Sequence, residues 1–247
     1  MKRGDTMATL NFVNSKSAIK DYKSYFENKD FFVFDEGFCY GTIPFDIFSN
    51  EASEKVRIKV LNEIFGKACS FVYHKRMNEL KSFDLNKYEN IIFHFENNMY
   101  SLINFLSLTY YLDMMKRREM VNPSLNVSIY IYELNRTKSY QESIITQRQL
   151  TSIDLESLSM TFFNLIYFQK EKYNMEVIDK VTERINDFPY MKEAIKNYFF
   201  IRTKEFKDSC KRKNGESEQD YYVRMRNENK TLGLKDKFYF SMNASSF

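Results

Sequence analysis

The residues best suited to chemistry follow short apolar runs. His94 lies inside Ile91-Ile-Phe-His-Phe95, near the end of that run. An imidazole there acts as a general base when its pKa stays near neutrality; the structural alternative is a core histidine satisfied by one hydrogen bond. Asp35 closes the run Phe31-Phe-Val-Phe34, where a carboxylate binds a ribose hydroxyl or a metal, or caps a neighbouring loop. Glu96 and Asn97 follow Phe95 and offer carboxylate and amide groups, although asparagine in such places also serves as a turn residue. Asn14-Ser15-Lys16-Ser17 opens a helical segment. Backbone N–H groups at a helix start hold phosphate, and Lys16 adds charge; the alternative is simple capping by Ser15 or Ser17. Without glycine the turn approaches a phosphate less closely than a P-loop does. Arg57 points into the same cleft or lies on the surface, and the sequence leaves both open. His74, beside Lys75 and Arg76, reads as a surface residue.

Established catalytic templates are absent. The sequence has no G-x-G-x-x-G, no P-loop, no G-x-S-x-G and no H-E-x-x-H. Two histidines in the whole chain exclude a histidine-rich metal site, so no metal ligands are assigned and no cofactor is named. Whether the protein is an enzyme stays open on these grounds.

These residues need strands to position them. Segments 8–13, 31–35, 90–95 and 127–132 read as strands, and each gap between them holds a helix-length stretch. Such alternation predicts a mainly parallel sheet, whose ligands bind at the carboxyl ends of the strands. Helices are expected over 17–27, 51–65 with continuation to about 80, 99–117, and from near Asp154 with Thr151 or Ser152 as cap. Gly37, Gly41 and Pro44 make 36–50 a loop. A further amphipathic stripe holds Val177, Ile178, Val181 and Ile185, and Pro189 suits the first turn of the next helix. Residues 208–220 read as a linker, 221–228 as a short helix and 237–242 as an edge strand.

Composition bounds the class. The 247 residues are 43% hydrophobic, with 24 Phe, 18 Tyr and no Trp. Cys39, Cys69 and Cys210 form no close pair, which argues against a disulfide framework and points to a reducing, cytoplasmic setting. The start Met1-Lys-Arg-Gly-Asp-Thr6 is polar with no apolar stretch after it, so no signal peptide is expected. The longest apolar stretch, Met99 to Met115, carries Ser101, Asn104, Ser107, Thr109 and Asp113 and reads as a buried helix rather than a membrane span. Net charge is +4, and residues 202–237 hold 11 Lys/Arg against 7 Asp/Glu, which accounts for the same excess. This is compatible with nucleic-acid contact but does not demand it.

Five weak motifs occur in an order that resembles the bacterial domain of unknown function 1835 family with its helical C-terminal module. They are Leu10-Asn-Phe-Val13 before the Asn14–Ser17 turn, Asp35 with Gly41 and Pro44, Arg57 on the next helix, the 91–95 strand before a Leu-rich helix, and Phe188-Pro189 before an amphipathic helix. The chain departs from the family's Gly-Asp-Ser turn at 14–17, and has His94 or Phe93 where the family carries Trp. The resemblance implies an α/β fold and no established activity.

The expectation is therefore an α/β protein with a mainly parallel sheet of four to five strands flanked by helices and a helical C-terminal part. Its divisions are 1–150 as the sheet domain, 151–207 as the helical module and 208–247 as a basic linker and docked appendage. The leading function is a non-catalytic binding or regulatory module acting through a protein partner or a second copy, with a strand-end cleft for an anionic small molecule or nucleotide. The alternatives are an enzyme acting on a phosphorylated or nucleotide substrate, and a nucleic-acid binder using the basic C-terminal region. Membrane association is not expected.

Overall fold

Runs of aromatic and β-branched residues favour extended chain, and residues buried on both faces of a sheet read as near-continuous apolar segments. In the computed structural model, which describes residues 8–227 except 66, 136, 210, 212, 218, 222 and 226, these runs become strands. The chain order is β1 (Thr9–Val13), α1 (Lys16–Asp21), α2 (Lys23–Phe26), β2 (Asp30–Val33), α3 (Glu51–Phe65), α4 (Lys67–Lys81) and β3 (Asn90–Glu96). It continues with α5 (Met99–Arg117), β4 (Asn126–Tyr132), α6 (Tyr140–Ser143), β5 (Ile144–Leu150), α7 (Ser152–Phe168), α8 (Met175–Thr182), α9 (Pro189–Phe200) and α10 (Lys204–Ser209).

The sheet order is β2-β1-β3-β4-β5. The first four strands are parallel, with Val13 beside Val33 on one side and beside His94 on the other, and Glu96 beside Tyr132. This is the α/β architecture expected from the alternation of elements. The fifth strand runs antiparallel to β4. Sequence reading assigned no strand there, because Gln147, Arg148 and Gln149 interrupt its apolar character. The expected helix over 17–27 divides at Tyr22, whose backbone leaves helical geometry at φ −121°. That break brings the Tyr22 ring edge-on to Tyr132 and Tyr140. The expected 237–242 strand lies outside the described residues, as do residue 222 and the end of the expected 221–228 helix.

Alternation along the strands separates two faces. Leu10, Phe12, Ile91, Phe93 and Phe95 join the large core. Val13 turns the other way and meets Ala18, Tyr22, Phe26, Tyr132 and Tyr140 in a smaller cluster. The large core runs without interruption from Leu10 to Phe206. Its centre is α5, buried at every position from Met99 to Thr109, between β3 on one side and α7 and α9 on the other. Among the described residues no helix is long and apolar enough to cross a membrane.

A reciprocal cap starts α7. Thr151 Oγ1 accepts from the Asp154 amide at 3.1 Å, and Asp154 Oδ2 accepts from the Thr151 amide at 2.8 Å. Two donors that the helix itself cannot satisfy are thereby paired. Replacing Thr151 by Ala is expected to cost ~1 kcal/mol, read as a lower urea midpoint with an unchanged slope.

Candidate functional site

Parallel strands deliver their carboxyl ends to one edge, so Asn14, Asp35, Glu96 and Asn97 share it. From β1 the chain crosses to β2 on one side, and from β2 it returns to β3 on the other. The place where the direction reverses is where open α/β sheets take ligands.

Asn14 occupies that point, but its side chain is committed to the protein. It is fully buried. Its carbonyl oxygen accepts from the Tyr132 hydroxyl at 2.8 Å, and its amide donates to Ser101 Oγ. One amide thus ties β1 to β4 and α5. Ser15 caps α1, accepting from the Ala18 amide at 3.2 Å, and lies 2.8 Å from Ser17 Oγ. Lys16 is exposed at the same turn.

Asp35 and Glu96 are half-buried and oriented. The Tyr100 hydroxyl donates to Asp35 Oδ1 at 2.9 Å, and the Asn98 amide donates to Glu96 Oε2 at 2.8 Å. Asn98 also caps α5, accepting from the Ser101 amide at 2.8 Å. Asn97 extends the ladder through its backbone, donating to the Tyr132 carbonyl at 2.9 Å.

His94 is not brought to this group. Its side chain leaves β3 on the α1–α2 face, fully buried among Tyr25, Phe26, Tyr130 and Tyr140. Its tautomer follows from its neighbours. Asn11 donates its amide to the Asp30 carbonyl at 2.9 Å, which turns Asn11 Oδ1 toward the ring. Nε2 therefore carries the proton and donates to Asn11 Oδ1 at 2.8 Å, while Nδ1 accepts from the Tyr140 hydroxyl at 2.5 Å. Burial, helped by Lys29, lowers its pKa to about 3. The ring is neutral and has no lone pair for a substrate.

Arg57 lies on α3, fully buried, and organises the chain after Asp35 rather than joining Lys16. It donates to the carbonyls of Tyr40 at 2.6 Å, Thr42 at 3.0 Å and Gly37 at 2.6 Å. Arg76 acts beside it, donating to the Asp35 carbonyl at 2.8 Å and to Glu36 Oε1 at 2.9 Å. Burial pushes the Glu36 carboxyl up to about 8 against the opposing pull of Arg76. Gln169 clasps Ile43 through both its amide atoms at 2.8 Å.

Sequence reasoning missed Glu36, Arg76, Tyr100, Ser101 and Tyr132. For Ser101 a signal existed: it stands three residues after Asn98, the spacing of a cap and its partner. Nothing local announces Arg76, which reaches Glu36 across 40 positions. Among the described residues no group of three or more His, Cys, Asp or Glu side chains could hold a metal ion.

Fold and edge together define an α/β protein with a mainly parallel sheet and an acidic, amide-rich switch point. No family model, curated protein or solved structure matches the chain.

Two outcomes follow from these environments. The folded state resists protonating His94, whereas the unfolded chain protonates its imidazole at about 6.5. Stability from this residue is thus full above that value and is lost as pH falls toward about 3, by at most ~1.4 kcal/mol per pH unit. His94→Gln is expected to flatten that limb in urea titrations run across the acid range. Arg57→Met leaves three inward carbonyls without their donor and is expected to destabilise by about 3 kcal/mol, seen in the same unfolding assay.

Proposed function

We propose that this chain is a non-catalytic binding or regulatory module whose strand-end edge takes a small nucleotide-like ligand. The observation that carries this reading is the pair of oriented carboxylates, Asp35 and Glu96, after the two strands that flank β1. Carboxylates so placed accept hydrogen bonds from sugar hydroxyls, and Lys16 supplies a cation for the anionic end. The neutral, fully engaged His94 favours binding over acid–base chemistry at this edge. A relationship to the domain of unknown function 1835 family, and a cytoplasmic setting, belong to the same proposal. The parallel sheet and the Pro189 start of α9 support the first.

The partner side of the reading draws on a second observation. Phe45, Phe163 and Tyr167 are exposed together, with the Phe45 ring 5.5 Å from Phe163 and 6.4 Å from Tyr167. Exposed aromatic clusters of this kind favour contact with another protein. The nucleic-acid alternative rests on the basic region 202–237, of which 228–237 lies outside the described residues.

Asp35→Ala tests the ligand edge. Adenosine nucleotides are expected to raise the melting temperature of the unmodified protein and not that of the variant, with the ligand-free melting temperatures close. Asp35→Asn, which keeps an acceptor for Tyr100, separates a structural part for Asp35 from a binding one. If neither nucleotide nor nucleoside shifts the unmodified protein, the reading is wrong.

A further inference from the structure

A groove of about 520 Å³ opens beside α3 and α4, away from the strand-end residues. That volume matches the pockets that hold small metabolites, roughly 300–1,000 Å³. Glu54, His74, Asn78 and Lys81 line one part of it, and Lys55 and Arg118 another.

The four form a connected unit. Glu54 is buried, 4% exposed. Its Oε1 lies 2.6 Å from His74 Nδ1, and its Oε2 accepts from Lys81 Nζ at 2.5 Å. Burial on its own would raise the Glu54 carboxyl; the hydrogen bonds from Lys81 and His74 outweigh it and hold the carboxyl below its ordinary range. An ionised Glu54 accepts, so Nδ1 of His74 carries a proton. This leaves Nε2 as the variable position, 3.2 Å from Asn78 Nδ2. Helical spacing makes the arrangement possible: His74 and Asn78 are four residues apart on α4 and share a face.

The charges around His74 decide what the groove takes. From α3 come Glu51, Glu54 and Lys55, from α4 Lys81, and from the end of α5 Arg118. Glu54 and Lys81 satisfy one another. Among the described residues Lys55 and Arg118 carry no ion pair, and only Glu51 opposes them. Phe48 and Ile58 give the groove an apolar portion.

We propose that this groove is a second binding site, for a small molecule bearing a phosphate-class oxyanion, in which His74 takes up a proton at Nε2 as the ligand binds. The protonated ring and the Asn78 amide donate side by side to one oxyanion, and Lys55 and Arg118 neutralise its charge. Phe48 and Ile58 receive the organic part. Glu54 positions the ring and touches no ligand. The proton comes from solvent, so by linkage affinity for a ligand of fixed charge rises as pH falls. None of these residues belongs to the strand-end site, so the two proposals stand or fall separately.

The two histidines of the sequence make the test direct. Imidazole ¹³C–¹H correlation spectra are followed while inorganic phosphate is added to the full chain at about pH 6 and about pH 8, and the pH comparison is read from a parallel titration with sulfate, an oxyanion whose charge does not change over that range. The His74 signals are expected to shift and saturate, with tighter binding at the lower pH, while the buried His94 signals stay still as an internal reference. Lys55→Ala and Arg118→Ala, both at exposed positions, are each expected to weaken binding about tenfold, whereas Asp35→Ala leaves it unchanged. His74 signals that do not respond to phosphate overturn the site. An equal response to chloride at matched ionic strength, or unchanged affinity in both cation variants, also overturns it. An equal response to acetate overturns the phosphate class.

Discussion

A buried guanidinium that among the described residues has no carboxylate of its own dictates how much of this chain is arranged. Arg57 loses water on every side, and a charge so placed is tolerated only where fixed dipoles replace the solvent. The carbonyls of Gly37, Tyr40 and Thr42 supply them. The loop must curl tightly to aim all three inward, which is the work of Gly41 at φ +62°. A Cβ there would meet Val60 Cγ1 at 2.4 Å, so the close approach of loop and α3 also depends on glycine. Arg76 then fastens the start of the same loop and Gln169 its middle. Because Glu54 lies three residues before Arg57 on α3, the anchor that shapes the strand-end loop also fixes the carboxylate that holds His74.

Much of the sheet was legible because strand signals are local. Phe31 to Phe34 and Ile91 to Phe95 announce themselves by aromatic and β-branched content, and helix-length gaps imply parallel pairing. The strand-end residues followed from that geometry. What escaped was whatever depended on distant neighbours. Asn11 sets the tautomer of His94 across 83 positions. Glu54 and His74 are 20 residues apart, and the adjacent Lys75 and Arg76 gave His74 the look of solvated surface. Arg57 was ambiguous for the same reason, since only the fold shows which carbonyls surround it. The strand Ile144–Leu150 was hidden by its polar residues, which suit an outer strand with one neighbour.

The two histidines illustrate how environment assigns chemistry. His94, in the apolar run, looked like the base, yet burial away from water keeps it neutral and two hydrogen bonds consume both nitrogens. His74, in a charged stretch, looked inert, yet a buried carboxylate fixes one nitrogen and leaves the other turned to a groove. Desolvation removed the reactivity that the sequence suggested at His94, while a hydrogen bond from 20 positions away orients the ring of His74.

The sheet's borders have a consequence for self-association. Strands that carry Phe31, Phe32, Phe93, Phe95, Tyr130 and Tyr132 are of the composition that grows by adding strands from other molecules. Among the described residues its two outer strands are poor templates. On one side β2 has four residues and begins with Asp30; on the other, β5 sets Gln147, Arg148 and Gln149 along its length and shifts register against β4 near Ile131. Short, polar or irregular borders interrupt the continuous ladder that fibrils require. The polarity that concealed β5 from sequence reading is thus a barrier against sheet-to-sheet polymerisation.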